Sequence, residues 1–221
     1  MILEQRDFLT PAEVARLTAL SRDLTFVEGR LSNLSNVTKD NLQADHGDPN
    51  YGESVRIVAD AFARSREFRD FAFPRHIAPP LLCRYEPGMK YGAHADAAYI
   101  ATAERRLRSD LSCTVFLSEP SSYEGGELVI HAGTKPVVLK GMPGEAIVYP
   151  STYLHEVRPV RSGRRLVSIT FIESHVKDEH KRTQLYELNE VSALESLKMS
   201  WENRVRLEVV CQNLLRMWSE P

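Results

Sequence analysis

Two short stretches carry residue types that could do chemistry together: His94-Ala95-Asp96, and far downstream His155, with Arg165 following in a β-branched run. On an extended segment residues two apart project to the same side, so His94 and Asp96 can face one metal while Ala95 faces away. Two imidazoles and one carboxylate occupy one face of a six-coordinate ion and leave the opposite positions open, the ligand set of non-haem Fe(II) oxygen chemistry. Arg165 sharpens this. A fixed guanidinium holds a carboxylate by two parallel hydrogen bonds, which suits the distal end of a chelating co-substrate such as 2-oxoglutarate. Ala93 and Ala95 are small and leave room beside the ligands. A lone His-x-Asp is weak evidence; the downstream histidine, the arginine and the strand-rich chain between them give it weight.

For these residues to meet, strands far apart in the chain must lie side by side. From Ile77 onward the texture suits this: 81–85, 111–117, 127–131, 136–139, 146–149 and 166–172 read as short strands. Pro87-Gly88, Gly125-Gly126, Gly133, Gly141, Pro143-Gly144 and Ser162-Gly163 punctuate them as turns. Such spacing predicts a sandwich or jelly roll and does not suit a parallel sheet with alternating helices. Upstream, Thr10-Pro11-Ala12-Glu13 has the form of a capping box, and Val14, Leu17 and Leu20 continue it as an amphipathic helix to about Leu20. A second helix is predicted over 53–71, where Val55, Val58, Ala59, Phe62 and Phe68 recur among charged neighbours. Between them, 32–50 is rich in Ser, Asn, Asp and Gly and is expected to be an irregular or edge segment lining a cleft.

After Ser174 the chain is charged and helical. Leu194, Leu197, Trp201, Val205, Cys211, Leu214 and Trp218 form a stripe near heptad spacing. It must be covered by the barrel or by a second subunit; packing against the barrel is the simpler expectation. The mainly β core with flanking helices therefore divides into an N-terminal helical and edge-strand support (1–76), the jelly-roll core (77–174) and a C-terminal helical extension (175–221).

A length of 221 residues fits one domain, and 28 basic against 30 acidic residues give a formal charge of -2. No global field favours nucleic acid or an anionic membrane. The N-terminus carries Glu4, Arg6 and Asp7, and no stretch is apolar enough to span a bilayer, so a cytoplasmic protein is expected. Cys83, Cys113 and Cys211 are odd in number and widely spaced, and they read as packing residues.

Certain motifs go further. They are Asn41-Leu42-Gln43, Arg84-Tyr85, Gly88-Met89, Tyr91-Gly92 before His94-Ala95-Asp96, Asp110-Leu111-Ser112 and Phe116-Leu117-Ser118. Tyr123-Glu124-Gly125-Gly126-Glu127-Leu128, Tyr149-Pro150-Ser151, His155, Gly163-Arg164-Arg165 and Arg182-Thr183-Gln184-Leu185 complete the set. On these, nearly the whole chain resembles the bacterial PKHD-type hydroxylases, which belong with the prolyl and lysyl hydroxylase-like Fe(II)/2-oxoglutarate dioxygenases. The resemblance implies a double-stranded β-helix, that is, a jelly roll with helices outside it. It also implies Fe(II) held by His94, Asp96 and His155, the 5-carboxylate of 2-oxoglutarate held by Arg165, and Tyr85 near the co-substrate. Tyr91 is a further candidate for a hydrogen bond to that co-substrate, although core packing would also explain it. Hydroxylation of an unactivated C–H bond in an amino acid, a peptidyl residue or a small metabolite would follow. Dioxygen would be consumed, succinate and CO2 released, and L-ascorbate is the candidate reductant. Related halogenating enzymes replace the carboxylate ligand with a small residue, so an intact Asp96 points to hydroxylation. The chain departs from the family after that residue: Asp-Asn-Ala is expected, and Asp96-Ala97-Ala98 stands there. A polar side chain beside the iron is missing, which bears on the substrate and not on the metal.

Several plainer readings stand beside these. Arg164 competes with Arg165, but adjacent strand residues face opposite sides, so only one can point inward. His46, His76, His131, His175 and His180 receive no function, although His131 could approach the barrel mouth. The charged segment 99–110 is a solvated loop or part of a substrate lid. Two other functional classes remain at this level. One is a cupin-like metal-dependent hydrolase or lyase, since the same ligands suit catalytic zinc. The other is a non-enzymatic metal or oxoglutarate sensor that forms a homodimer through its C-terminal helices.

Overall fold

The structure, a computed structural model, describes residues 1–32 and 38–220. Along the chain run β1 (Leu3–Gln5), α1 (Pro11–Asp23), β2 (Phe26–Glu28), β3 (Lys39–Asp40), β4 (Leu42–Ala44), α2 (Tyr51–Arg64) and α3 (Arg66–Ala72). Then come β5 (Pro74–Ile77), β6 (Leu81–Tyr85), β7 (Lys90–His94), β8 (Tyr99–Ala101), β9 (Arg106–Arg108), β10 (Leu111–Phe116), β11 (Tyr123–Gly125) and β12 (Leu128–Ile130). The remainder is β13 (Val137–Leu139), β14 (Ala146–Pro150), β15 (His155–Val157), β16 (Val160–Gly163), β17 (Arg165–Ser174), α4 (Glu179–Glu195) and α5 (Trp201–Trp218).

A larger sheet has the order β1-β14-β10-β17-β6-β4-β2, with β5 also on β17; a smaller one has the order β13-β12-β15-β7-β3. All their pairings are antiparallel. Period-two alternation sorts the side chains of the larger sheet. Leu111, Cys113 and Val115 of β10, Leu82 of β6 and Val148 of β14 pack outward with Leu17, Leu20, Phe62, Phe68 and Phe71 of the helices. Phe116, Cys83, Tyr85, Ile147, Tyr149 and Val167 instead face a second core with Leu128, Ile130, Val157 and Val160. That inner face is where a barrel site must lie. A short segment closes one side of the barrel: β3 pairs with β7 of the smaller sheet, and β4, one residue later, pairs with β6 of the larger.

The capping box forms at Thr10 and Glu13, and α1 runs three residues past the predicted end. The predicted helix over 53–71 is in fact two. Ser65 adopts an extended backbone, ends α2, and caps α3 through its hydroxyl on the Phe68 amide. Its hydroxyl also exchanges hydrogen bonds with the Gln5 side chain on β1, so the break ties the helices to the sheet. Of the segment 32–50, residues 33–37 lie outside the described residues, and the rest holds β3 and β4. The segment 99–110 is not a loop but carries the hairpin β8–β9, with Leu107 buried and Arg106 lying over the Tyr99 ring at 4.6 Å. The C-terminal stripe is also different from the simpler expectation. Val205, Cys211, Leu214 and Trp218 are half-buried, but Leu197 is 87% and Trp201 70% exposed, and Leu194 is exposed too. They sit where α4 ends and α5 begins, beyond the reach of the barrel. No described helix is long and apolar enough to cross a membrane.

Candidate active site

His94 ends β7 and His155 opens β15, and the two are opposite each other in the antiparallel register. Cross-strand neighbours on one face are close enough to share a ligand. Their ring centroids are 4.3 Å apart. Asp96 lies just past the end of β7, where its amide donates to the Ser151 carbonyl at 3.2 Å. His94 Nε2 is 3.7 Å from Asp96 Oδ1, and His155 Nε2 is 3.6 Å from Asp96 Oδ2. One ligand atom from each of the three residues lies within 4.8 Å of the others.

Each imidazole is aimed in the same way. Nδ1 of His94 faces the Gly92 carbonyl at 2.8 Å, and Nδ1 of His155 faces the Tyr153 carbonyl at 2.9 Å. A carbonyl only accepts, so the proton of the neutral ring sits on Nδ1 and the Nε2 lone pair points into the site. Aromatic neighbours fix the rings from the side: Tyr91 stacks on His94 with centroids 3.6 Å apart, and Tyr149 meets His155 edge-on at 5.1 Å. Burial, reinforced by His155, holds the His94 imidazole below its ordinary range and favours the neutral form a metal requires. Gly92 is needed for close approach, since a Cβ there would come within 2.8 Å of Thr38 on the segment leading into β3.

Arg165 opens β17 opposite Tyr85 of β6 and points into the barrel, only 1% exposed; Arg164 points away, its side chain 60% exposed beside Glu86. The Arg165 guanidinium lies over the Tyr85 ring at 5.0 Å and the Phe116 ring at 5.9 Å. Gly126, at φ +67°, makes the space. A Cβ there would stand 3.0 Å from both Arg165 Cδ and the Tyr123 ring. Arg165 Nε and the Tyr123 hydroxyl are buried without a well-formed hydrogen-bond partner among the described residues. Burial raises the Tyr123 phenol above its ordinary range, and the Arg165 charge pulls it part of the way back. Unpaired buried polar atoms cost about 1–3 kcal/mol each, so such a pair is the mark of a site that a ligand completes. Both groups are donors, the chemistry a carboxylate needs.

Residues 80–173 match the 2OG-Fe(II) oxygenase superfamily. A PKHD-type hydroxylase of Sphingopyxis alaskensis is 49% identical over 205 residues, which cover 93% of this chain and 94% of the relative. The chain belongs to the PKHD-type hydroxylases. A second family member, from Paracoccus denitrificans, is 35% identical over the full length of both chains. As a member of the 2OG-Fe(II) oxygenases, this PKHD-type hydroxylase is an enzyme that uses Fe(II), 2-oxoglutarate and dioxygen. Solved structures share its jelly-roll fold. A Pseudomonas putida prolyl-4-hydroxylase superposes with TM-score 0.56 at 19% identity, over 78% of this chain and 92% of that one. A Trichoplax adhaerens prolyl hydroxylase, in complex with a hypoxia inducible factor peptide fragment, gives 0.61 at 14% identity, over 83% and 86%.

Of the residues singled out in the sequence, His94, Asp96 and His155 come together, and Arg165 and Tyr85 share the same barrel interior. Tyr91 packs on His94 and lies 5.5 Å by ring centroid from the buried Lys39 ammonium. His131 stays exposed at the end of β12. Three groups went unnoticed in the sequence. Tyr123 stands in the quoted glycine motif, but its position beside Arg165 depends on the turn at Gly126. Lys39 is a buried lysine whose charge is felt at Asp96 and His94, and burial lowers its pKa. Ser112 donates to Asp96 Oδ2 at 2.5 Å. An inward-facing Lys39-Asn41-Gln43 alternation is the one signal that could have pointed to the crossing segment.

Proposed function

We propose that His94, Asp96 and His155 hold Fe(II), that Arg165 with Tyr123 holds the distal carboxylate of 2-oxoglutarate, and that the enzyme hydroxylates an aliphatic C–H bond at the barrel mouth. The observation that carries this is the presence, in one barrel interior, of three converging metal donors and a buried guanidinium with an unsatisfied N–H. The donor set fits the ion. Two neutral imidazoles and one carboxylate leave three coordination positions open, enough for a bidentate oxo acid and dioxygen.

Once bound there, iron and 2-oxoglutarate supply the oxidising power that puts one oxygen atom of dioxygen into the substrate C–H bond and the other into succinate, with CO2 lost. The chain's own residues do the rest. Gly92 and Tyr153 carbonyls fix the tautomer of each imidazole; Tyr91 and Tyr149 keep the rings from turning. Arg165 and Tyr123 fix the depth and orientation of the co-substrate. Phe116, Val160, Ile130 and Leu128 keep water from that end of the barrel. Tyr85 stays protonated because burial lifts its pKa, so it serves as a neutral wall for the co-substrate. The substrate class, a free amino acid, a peptidyl residue or a small metabolite, is tested by screening for stimulated succinate release. Among solved relatives of this fold, one binds a peptide fragment, which makes peptides the first class to try. Exposed Leu194, Leu197 and Trp201 favour self-association through the C-terminal helices, and a solution mass at twice 25.1 kDa is the expected result.

A further inference from the structure

Asp96 is followed by Ala97 and Ala98, neither of which can steer its carboxylate. The steering comes from elsewhere in the barrel. Ser112, on the inner face of β10, gives its hydroxyl proton to Asp96 Oδ2 at 2.5 Å, the length of a charge-assisted O–H···O⁻ bond. Ser112 Oγ is 2.7 Å from Ser151 Oγ, which is 2.8 Å from Ser109 Oγ, and all three serines are buried. A serine hydroxyl has one proton. With that of Ser112 committed to the carboxylate, Ser151 must donate to Ser112 and Ser109 to Ser151, so the three dipoles align toward the negative charge. Ser151 also takes the Asp96 amide on its carbonyl, and its own amide donates to the Asp110 carbonyl at 3.1 Å. Main chain and side chain of Asp96 are therefore both tied to one node, built from β10 and from the residues that follow β9 and β14, none of which is a metal ligand.

We infer that Ser112, backed by Ser151 and Ser109, is a positioning residue that holds Asp96 as a one-oxygen ligand and keeps three metal positions open. This rests on the metal reading above. A carboxylate with one oxygen engaged by a strong donor presents the other to the ion; released, it can rotate or chelate with both oxygens and take a position needed by co-substrate or dioxygen. Outer partners of metal ligands typically change affinity when lost.

The test is a titration of the metal-free full chain with Mn(II), followed by competition between Mn(II) and Co(II) and the Co(II) absorption spectrum. Ser112→Ala is expected to weaken Mn(II) binding by roughly 10–100-fold, Ser112→Thr to stay within about threefold of wild type, and Ser109→Ala to fall between. The Co(II) spectrum of Ser112→Ala should change, with that of Ser112→Thr unchanged. Equal Mn(II) affinity and an unchanged spectrum in Ser112→Ala would overturn the inference, as would a loss in Ser112→Thr as large as in Ser112→Ala, which would mean packing alone. If Ser112→Ala does not fold by circular dichroism, Ser109→Ala carries the decision, because its hydroxyl does not touch Asp96: a normal affinity there contradicts the relay. A wild-type chain that fails to bind Mn(II) or Co(II) would sink the metal reading itself, a different result from a wild type that binds and variants that match it.

Discussion

Which charges face inward decides what the barrel can bind. Arg165 and Arg164 are neighbours of the same type, and only strand alternation separates them: one is enclosed by Tyr85, Phe116 and Tyr123, and the other stands in solvent near Glu86. Losing one partner of a buried charge pair costs about 2–5 kcal/mol, so Arg165→Met should weaken 2-oxoglutarate binding to the Mn(II)-loaded chain by roughly a hundredfold or more. Arg164→Met should leave it within about twofold, because exposed pairs are worth little. Calorimetry on the two variants decides this, and equal losses would refute the assignment. Tyr123→Phe removes one hydrogen bond and is expected to cost about 1 kcal/mol, or roughly fivefold, in the same titration. The convergence of His94 and Asp96 was legible because strand geometry makes residues two apart share a side. Ser112 and Tyr123 were not. A serine or tyrosine in a strand has no pattern of its own, and only the pairing of β10 with β14 and the turn at Gly126 show what each one faces.

Elements place these residues, and the joints between elements are where prediction from sequence alone gave way. Leu81–Tyr85 was readable as a strand from its short, mostly apolar run ending in Tyr85 between the turn residues Pro79-Pro80 and Pro87-Gly88. The three-residue strands β8, β9, β11 and β15 are too short to show a period, and their partners are distant, so neither their existence nor their register follows from local propensity. The helix break at Ser65 is similar: the apolar spacing continues through it, and only the tie to Gln5 reveals the joint. Ser65→Ala should destabilise the fold by about 1–2 kcal/mol through the lost cap, measured as a lower midpoint in urea with an unchanged slope. Gly126→Ala is expected to do more than destabilise. Its φ of +67° and the 3.0 Å approach to Arg165 and Tyr123 mean that a methyl group must displace the anchor, so thermal stability and 2-oxoglutarate affinity should fall together. A variant that loses stability alone would show that the glycine serves only the turn.

For the whole molecule, the last turn of the chain returns to the core. Glu220 pairs with Arg108 of β9 at 2.5 Å and with Lys177 at 2.6 Å, and Arg108 also grips Asp110, just before β10. The hydrogen bonds from Lys177 and Arg108 hold the Glu220 carboxyl below its ordinary value of 4.5. A lowered folded-state pKa means that this stabilisation is fully present above about 4.5, the unfolded value, and disappears as the pH falls through the lower folded value. Because the pair is partly solvated, its worth is no more than about 1 kcal/mol. Protection factors at the end of α5, that is, exchange rates divided by their intrinsic pH-dependent values, should therefore fall by up to about fivefold on acidification in wild type and be lower already at neutral pH in Glu220→Gln; identical profiles would contradict the tie. This long-range closure could not be read from the tail, which announces only helix. The jelly roll could, because turn-punctuated short strands admit few other architectures. The assembled barrel as a whole is tested most directly by succinate formation from 2-oxoglutarate with and without added Fe(II), in wild type and in Asp96→Ala. Wild type should form succinate only with Fe(II), and Asp96→Ala should fall by at least about a hundredfold, the ~3 kcal/mol scale of a lost buried charged partner. Fe(II)-dependent succinate formation by Asp96→Ala at the wild-type rate would contradict Asp96 as a metal ligand.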